Sequence, residues 1–336
     1  MTATVLGIRV TDAQLARWRN WAMPEVQPFL LTADEARAVK RVARSRRLTP
    51  ELRDTFQLYA VAGTGVYAIE AEPAGDDGDA DSVAGMPEGS PPAAGPEASG
   101  DSETSSESEA FADSAAFADS EAFAGSEASA GSEASAGSLG SAERTALVWL
   151  DKRGARLLSR EALAAQPTKH RWPGKHPERS RDRDTARTIR WIEDGWPDSR
   201  HGEVSEATWR RARAILPDAR RIAGRFPARS GPNCFGTVMG AAGVDGAAST
   251  WMQREPFERW LREATIIGGN DDNPGTVLVW RGTDGAVEHA AITIGDGWLL
   301  NKPAQTWSTP VAVLSVREGI NASRAPGRRL ERHTLA

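Results

Sequence analysis

The sequence predicts an α+β protein: capped helices first, then a small β-meander, then a helix packed on an antiparallel sheet. Three observations predict it. Capping signals open one helical stretch after another in the N-terminal region. Short strand-like runs bounded by Gly, Pro and Asp dominate after Pro274. Between these regions lies a segment whose composition supports no packed core.

That segment covers residues 74–142. It holds 15 Asp and Glu and no Lys or Arg, leaving the rest of the 336-residue chain with 41 basic against 31 acidic residues, a net charge of +10. The overall pI near 5.7 therefore describes neither part. Poor in Ile, Leu and Val, residues 74–142 cannot bury enough apolar surface to offset ordering entropy, so a disordered insertion is expected. Its six-residue repeat runs FADSAA, FADSEA, FAGSEA, SAGSEA, SAGSLG from Phe111 to Gly140. A β-helix needs a constant aliphatic position, and here Phe gives way to Ser. An acidic loop of this kind can act as a tether against the basic remainder.

The composition also sets exclusions. No run approaches the ~18–20 apolar residues of a membrane span. The N-terminus lacks a basic stretch followed by an apolar block. One cysteine, Cys234, excludes an internal disulfide and a multi-Cys zinc site. The expectations are a cytoplasmic chain that takes no cofactor, no metal and no membrane.

In chain order, Asp12 is expected to cap a helix over Ala13–Trp21. Thr32 and Glu35 form a capping-box pair before a helix over Ala33–Arg46. Thr49 caps and Pro50 opens a helix running to about Ala62. The meander follows: Val66–Glu70, then Thr145–Leu150 across the insertion, a turn at Asp151–Gly154, and a third strand at Ala155–Leu158. Residues 1–73 and 143–168 thus form one accessory unit. Residues 169–204 read as a basic linker and helix, with Lys169, Arg171, Lys175, Arg179, Arg181, Arg183, Arg187 and Arg190 beside Trp172 and Trp191. Three helices and a hairpin followed by basic residues permit a nucleic-acid reading, against which Glu178, Asp182 and Asp184 favour a solvated linker. A long helix is expected from Glu206 to Phe226, with a break at Pro217. Residues 319–336 read as a flexible tail.

The chemistry concentrates in residues 205–318. Ser230-Gly231-Pro232-Asn233 closes a loop, and the apolar run after it places Cys234 at a helix N-terminus. There the helix dipole favours a thiolate, the reactive form of the group; a buried, inert cysteine is the competing reading. Pro274–Trp280 is a turn into a strand. His289-Ala290-Ala291-Ile292-Thr293-Ile294-Gly295-Asp296-Gly297-Trp298-Leu299-Leu300-Asn301 is a hairpin. A three-residue Gly295-Asp296-Gly297 loop pairs Ile294 with Trp298, Thr293 with Leu299 and Ala291 with Asn301, so His289 and Asn301 share a face. A one-residue slip would separate them. Gln305 is the fallback third residue, and Trp280 and Trp298 are candidate substrate-binding walls.

This order resembles the NlpC/P60 superfamily of papain-like cysteine hydrolases over residues 205–315. It shares a Cys at a helix start, a Pro-Gly strand, a His opening the next strand, and a polar residue after a tight hairpin. The resemblance implies Cys234 as nucleophile, His289 as general base and Asn301 as the orienting residue. The implied reaction is cleavage of a peptide or other amide through a thioester. The chain departs from the family pattern in having Asn233 before the nucleophile and Phe235-Gly236 after it. Two alternatives accompany this expectation: an inactive module of the same fold that only binds, and a nucleic-acid-associated regulator.

Overall fold

The computed structural model describes residues 2–59, 144 and 146–336. The expected acidic insertion and the expected strand at Val66–Glu70 lie outside the described residues.

The chain opens with a hairpin that the sequence reading missed, β1 (Thr2–Val5) and β2 (Ile8–Thr11). Leu6 and Gly7 both take positive φ, at 49° and 72°, as a tight two-residue turn requires. Helix α1 (Asp12–Ala22) is capped by Thr11, whose side chain accepts from the Gln14 N–H, so the cap sits one residue before the expected Asp12. Strand β3 (Val26–Leu31) follows. The capping box at Thr32 and Glu35 forms as expected, but α2 (Ala33–Val39) stops short of Arg46. Arg44 instead donates its N–H to the Trp149 carbonyl at 2.8 Å, which extended backbone alone permits. Thr49 caps α3 (Pro50–Thr55), which ends well before Ala62. Gln57 lies at φ 52°, a conformation that terminates a helix.

Strand β4 (Ala146–Asp151) forms where expected but pairs antiparallel with β3, giving a two-stranded sheet. The expected third strand is not formed. Asp151 accepts from the Arg153 and Gly154 N–H groups and starts a short helix, α4 (Lys152–Ala155), followed by α5 (Arg160–Ala164). The charged 169–190 stretch supplies α6 (Pro177–Glu193), which packs on α1 and buries Ser180, Asp184, Thr188 and Ile192, with Asp184 accepting from the Gly174 N–H at 2.7 Å.

The remaining helices are α7 (Glu206–Arg213), α8 (Ala219–Ile222), α9 (Cys234–Ala241) and α10 (Arg254–Ala264). The expected long helix therefore breaks at Ala214, ahead of Pro217, since the residue before a proline is pushed from the helical region. The strands β5 (Thr265–Ile267), β6 (Pro274–Arg281), β7 (Val287–Gly295), β8 (Trp298–Asn301), β9 (Ala312–Ser315) and β10 (Arg329–Leu335) make a six-stranded sheet in the order β5-β10-β6-β7-β8-β9. Helix α11 (Val316–Ala322) precedes β10. Residues 319–336 are thus no tail: β10 pairs with both β5 and β6 inside the sheet.

Alternation divides this sheet into two faces. Val277, Val279, Ala290, Ile292, Ile294, Leu300 and Val313 pack with α9 and its neighbours. Leu278, Trp280, Ala291 and Leu299 point the other way, toward Val316 and Ile320 of α11. Among the described residues no helix is long and apolar enough to cross a membrane.

Candidate functional site

The β7–β8 hairpin sets the register. Ile292 pairs with Leu300 and Thr293 with Leu299, as expected, but Gly295 rather than Ile294 pairs with Trp298. The loop is the two-residue Asp296-Gly297, with φ 54° and 74°, and the extra residue is absorbed as a β-bulge at Ile294. Because the bulge takes up the odd residue, His289 and Asn301 keep one face. The His289 Nε2–H donates to Asn301 Oδ1 at 2.9 Å. With an oxygen as partner Nε2 carries the proton, leaving the lone pair on Nδ1.

His289 is 6% exposed. Burial pushes its pKa down to about 4; the Asn301 bond opposes the fall and the Arg328 charge adds to it. The ring is neutral at physiological pH. Trp280, directly paired with His289, lies against it with ring centroids 5.2 Å apart. Glu288 turns away into an ion pair with Arg328 at 2.5 Å.

Cys234 is the first residue of α9. Asn233 caps the helix, its Oδ1 accepting from the Gly236 N–H at 3.1 Å and its Nδ2 donating to the Met252 carbonyl at 2.8 Å. Gly236 and Gly240 let the 247–250 segment close on the helix: an added Cβ at Gly236 would stand 2.4 Å from the Ala247 carbonyl oxygen, and one at Gly240 2.6 Å from the Ala248 side chain. Cys234 is 2% exposed and belongs to the cluster on the α9 face. His289 shares the α11 face with Trp280 and Ala291.

Lys302 follows Asn301, the last residue of β8. Lys302 is 1% exposed, and sequence reasoning passed over it. Its signal was position: a lysine directly after a buried strand has no route to solvent unless the strand end is open. Nζ donates to Ala304 O at 2.7 Å, Thr309 O at 2.9 Å and Thr309 Oγ1 at 3.1 Å. Burial pushes its pKa down to about 7, and Cys234 and Asp54 oppose the fall.

The other expected residues divide. Trp280 walls the imidazole. Trp298 does not reach the site: it opens β8 at the turn, about 10 Å along the strand from Asn301, and Arg200 covers its ring at 4.6 Å. Gln305 is not needed as third residue; its carbonyl accepts from the Gly231 N–H at 2.9 Å. Among the described residues no group of three or more His, Cys, Asp or Glu is placed to hold a metal ion. No family model matches the chain, and it matches no curated protein and no solved structure.

Proposed function

We propose that residues 205–318 form an NlpC/P60-like, papain-like domain that hydrolyses amide bonds through Cys234, with His289 as base and Asn301 holding the imidazole. The observation that carries this reading is the 2.9 Å bond from His289 Nε2 to Asn301 Oδ1. It fixes the tautomer whose Nδ1 accepts a proton, the arrangement a cysteine hydrolase needs at its base. Cys234 supplies the thiol from a helix N-terminus, where the dipole favours the anion. In the reaction the Cys234 proton passes to His289 Nδ1 and the sulfur bonds to the substrate carbonyl carbon. The amine then leaves with that proton, and water cleaves the thioester. Proton transfer requires the Cys234 thiol and His289 Nδ1 to come within hydrogen-bond reach, directly or through one water, around the end of β7.

A second reading, a module that binds without catalysis, is favoured by the packing of Cys234 and His289 on different faces. Electrophilic peptide probes separate the two. A stoichiometric adduct on Cys234 that is lost in His289→Ala supports the hydrolase. A Cys234 that reacts only in denaturant, with peptide binding retained, favours the module and sinks the hydrolase.

A further inference from the structure

We propose that the bases of residues 40–47, with Lys152 and Arg153 of α4, form a surface that binds the phosphate backbone of a nucleic acid. This surface is separate from Cys234 and does not depend on hydrolysis.

The stretch that the sequence marks as basic, 169–190, is partly matched within itself: Asp184 of α6 lies 3.5 Å from Arg187 and 3.8 Å from Arg183. Residues 40–47, Lys-Arg-Val-Ala-Arg-Ser-Arg-Arg, hold five bases and no acid. Because α2 ends at Val39, they leave the helix and run against β4. Arg44 forms an antiparallel bridge with Trp149, its N–H donating to the Trp149 carbonyl at 2.8 Å. A Cβ added to Gly154 would stand 3.3 Å from Val42 Cγ2, so α4, which carries Lys152 and Arg153, lies beside the same ribbon. Arg46 donates from Nη1 to the Val26 carbonyl at 3.2 Å and covers the Trp149 ring at 5.8 Å. Contacts at 42, 44 and 46 thus hold the ribbon in place.

All seven bases are exposed. Among the described residues Arg44 holds a carboxylate, that of Asp151 at 3.5 Å, while Lys40, Arg41, Arg46, Arg47, Lys152 and Arg153 hold none. Other surface arginines are matched: Arg37 with Asp34, Arg200 with Glu203, Arg220 with Glu206. Like charges fixed this closely repel one another, and an anion laid across them removes the repulsion. A small anion would meet one or two of the bases. A polymer with a charge on every unit meets the whole row and releases its counterions in doing so. Four of the five bases in 40–47 are arginines, whose planar fork takes two phosphate oxygens at once.

The test measures binding of the full chain to a short mixed-sequence DNA duplex, and to one of its strands, as salt is raised. With five to seven phosphate contacts, the logarithm of the binding constant should fall against the logarithm of salt concentration with a slope of about −4 to −6. Arg41→Gln with Arg47→Gln should flatten that slope by about two and weaken binding about tenfold or more at about 50 mM salt. Lys152→Gln with Arg153→Gln should do the same from α4. Arg179→Gln with Arg181→Gln removes equal charge from exposed positions on α6 and should leave the slope unchanged. Either patch pair decides alone should the other not fold. Equal losses in all three pairs would trace the binding to overall charge and overturn the proposal. So would an absence of binding, or a slope shallower than about −2. Polyglutamate that displaces the duplex as readily as unlabelled duplex does would assign the surface to an acidic polypeptide and overturn it too. Tighter binding of the duplex or of the strand tells which backbone the surface fits, and either supports the proposal.

Discussion

The two faces of the six-stranded sheet are built differently. The α9 face is a broad apolar layer, in which glycines bring helix backbone against backbone and Cys234 closes one end. The α11 face is a smaller cluster with a polar pair, His289 and Asn301, set into it. Apolar packing holds Cys234, and a hydrogen bond holds His289.

The largest expected effect lies on the rigid face. In Gly236→Ala the new methyl meets a carbonyl oxygen at 2.4 Å, and backbone does not swing aside as a side chain does. Overpacking of this kind costs about 3 kcal/mol or more. Denaturant unfolding measures it; a loss under 1 kcal/mol would mean that the 247–250 segment yields easily and the face is not rigid.

The imidazole comes next. His289 titrates at about 4 in the fold and near 6.5 when unfolded, so between those values the unfolded chain binds more protons. The stability that His289 contributes is complete above pH 6.5 and declines as pH falls toward 4, by about 3 kcal/mol in all. His289→Gln should flatten that part of the pH profile. An unchanged slope would show that the ring is protonated in the fold, contrary to a buried neutral base.

Asn301→Ala leaves the Nε2–H without its acceptor in a dry site, costing about 1–3 kcal/mol. It also removes the bond that raises the His289 pKa, so the ring should titrate lower still. NMR titration reads this directly: an upward move would mean that Asn301 does not hold the ring.

How much of this was legible in the sequence follows from the range of the forces involved. The hairpin was readable because alternation and a Gly-Asp-Gly turn are local, and the face shared by His289 and Asn301 came out as expected although the odd residue went into a bulge. The N-terminal part was less legible. Strand β3 contains Pro28 and pairs with β4 across more than a hundred residues, so no local pattern announces it. The strand at residues 329–335 reads as charged tail because its apolar neighbours come from β5 and β6. Lys302 escaped notice since a single lysine says nothing of burial until the 304–309 loop is seen folded around it.

The smallest effect sharpens the comparison from the other side. A Cβ on Gly319 of α11 would stand 2.7 Å from the Leu299 Cδ2 and 3.0 Å from its Cδ1. Here the obstacle is the end of a side chain. Leu299 is fully buried, so it must turn within its own cluster, and Gly319→Ala should cost about 1 kcal/mol, at the low end of overpacking. Leu299→Ala alone opens a cavity and costs about 2–5 kcal/mol. The double variant places the new methyl in that space, so its loss should fall below the sum of the single losses by about 0.5 kcal/mol or more. Gly236 on the α9 face has no such partner, because truncating a side chain does not move the Ala247 carbonyl. A double-mutant cycle by urea unfolding measures the coupling, and strict additivity at Gly319 and Leu299 would mean that α11 itself shifts away and that the α11 face yields as a whole.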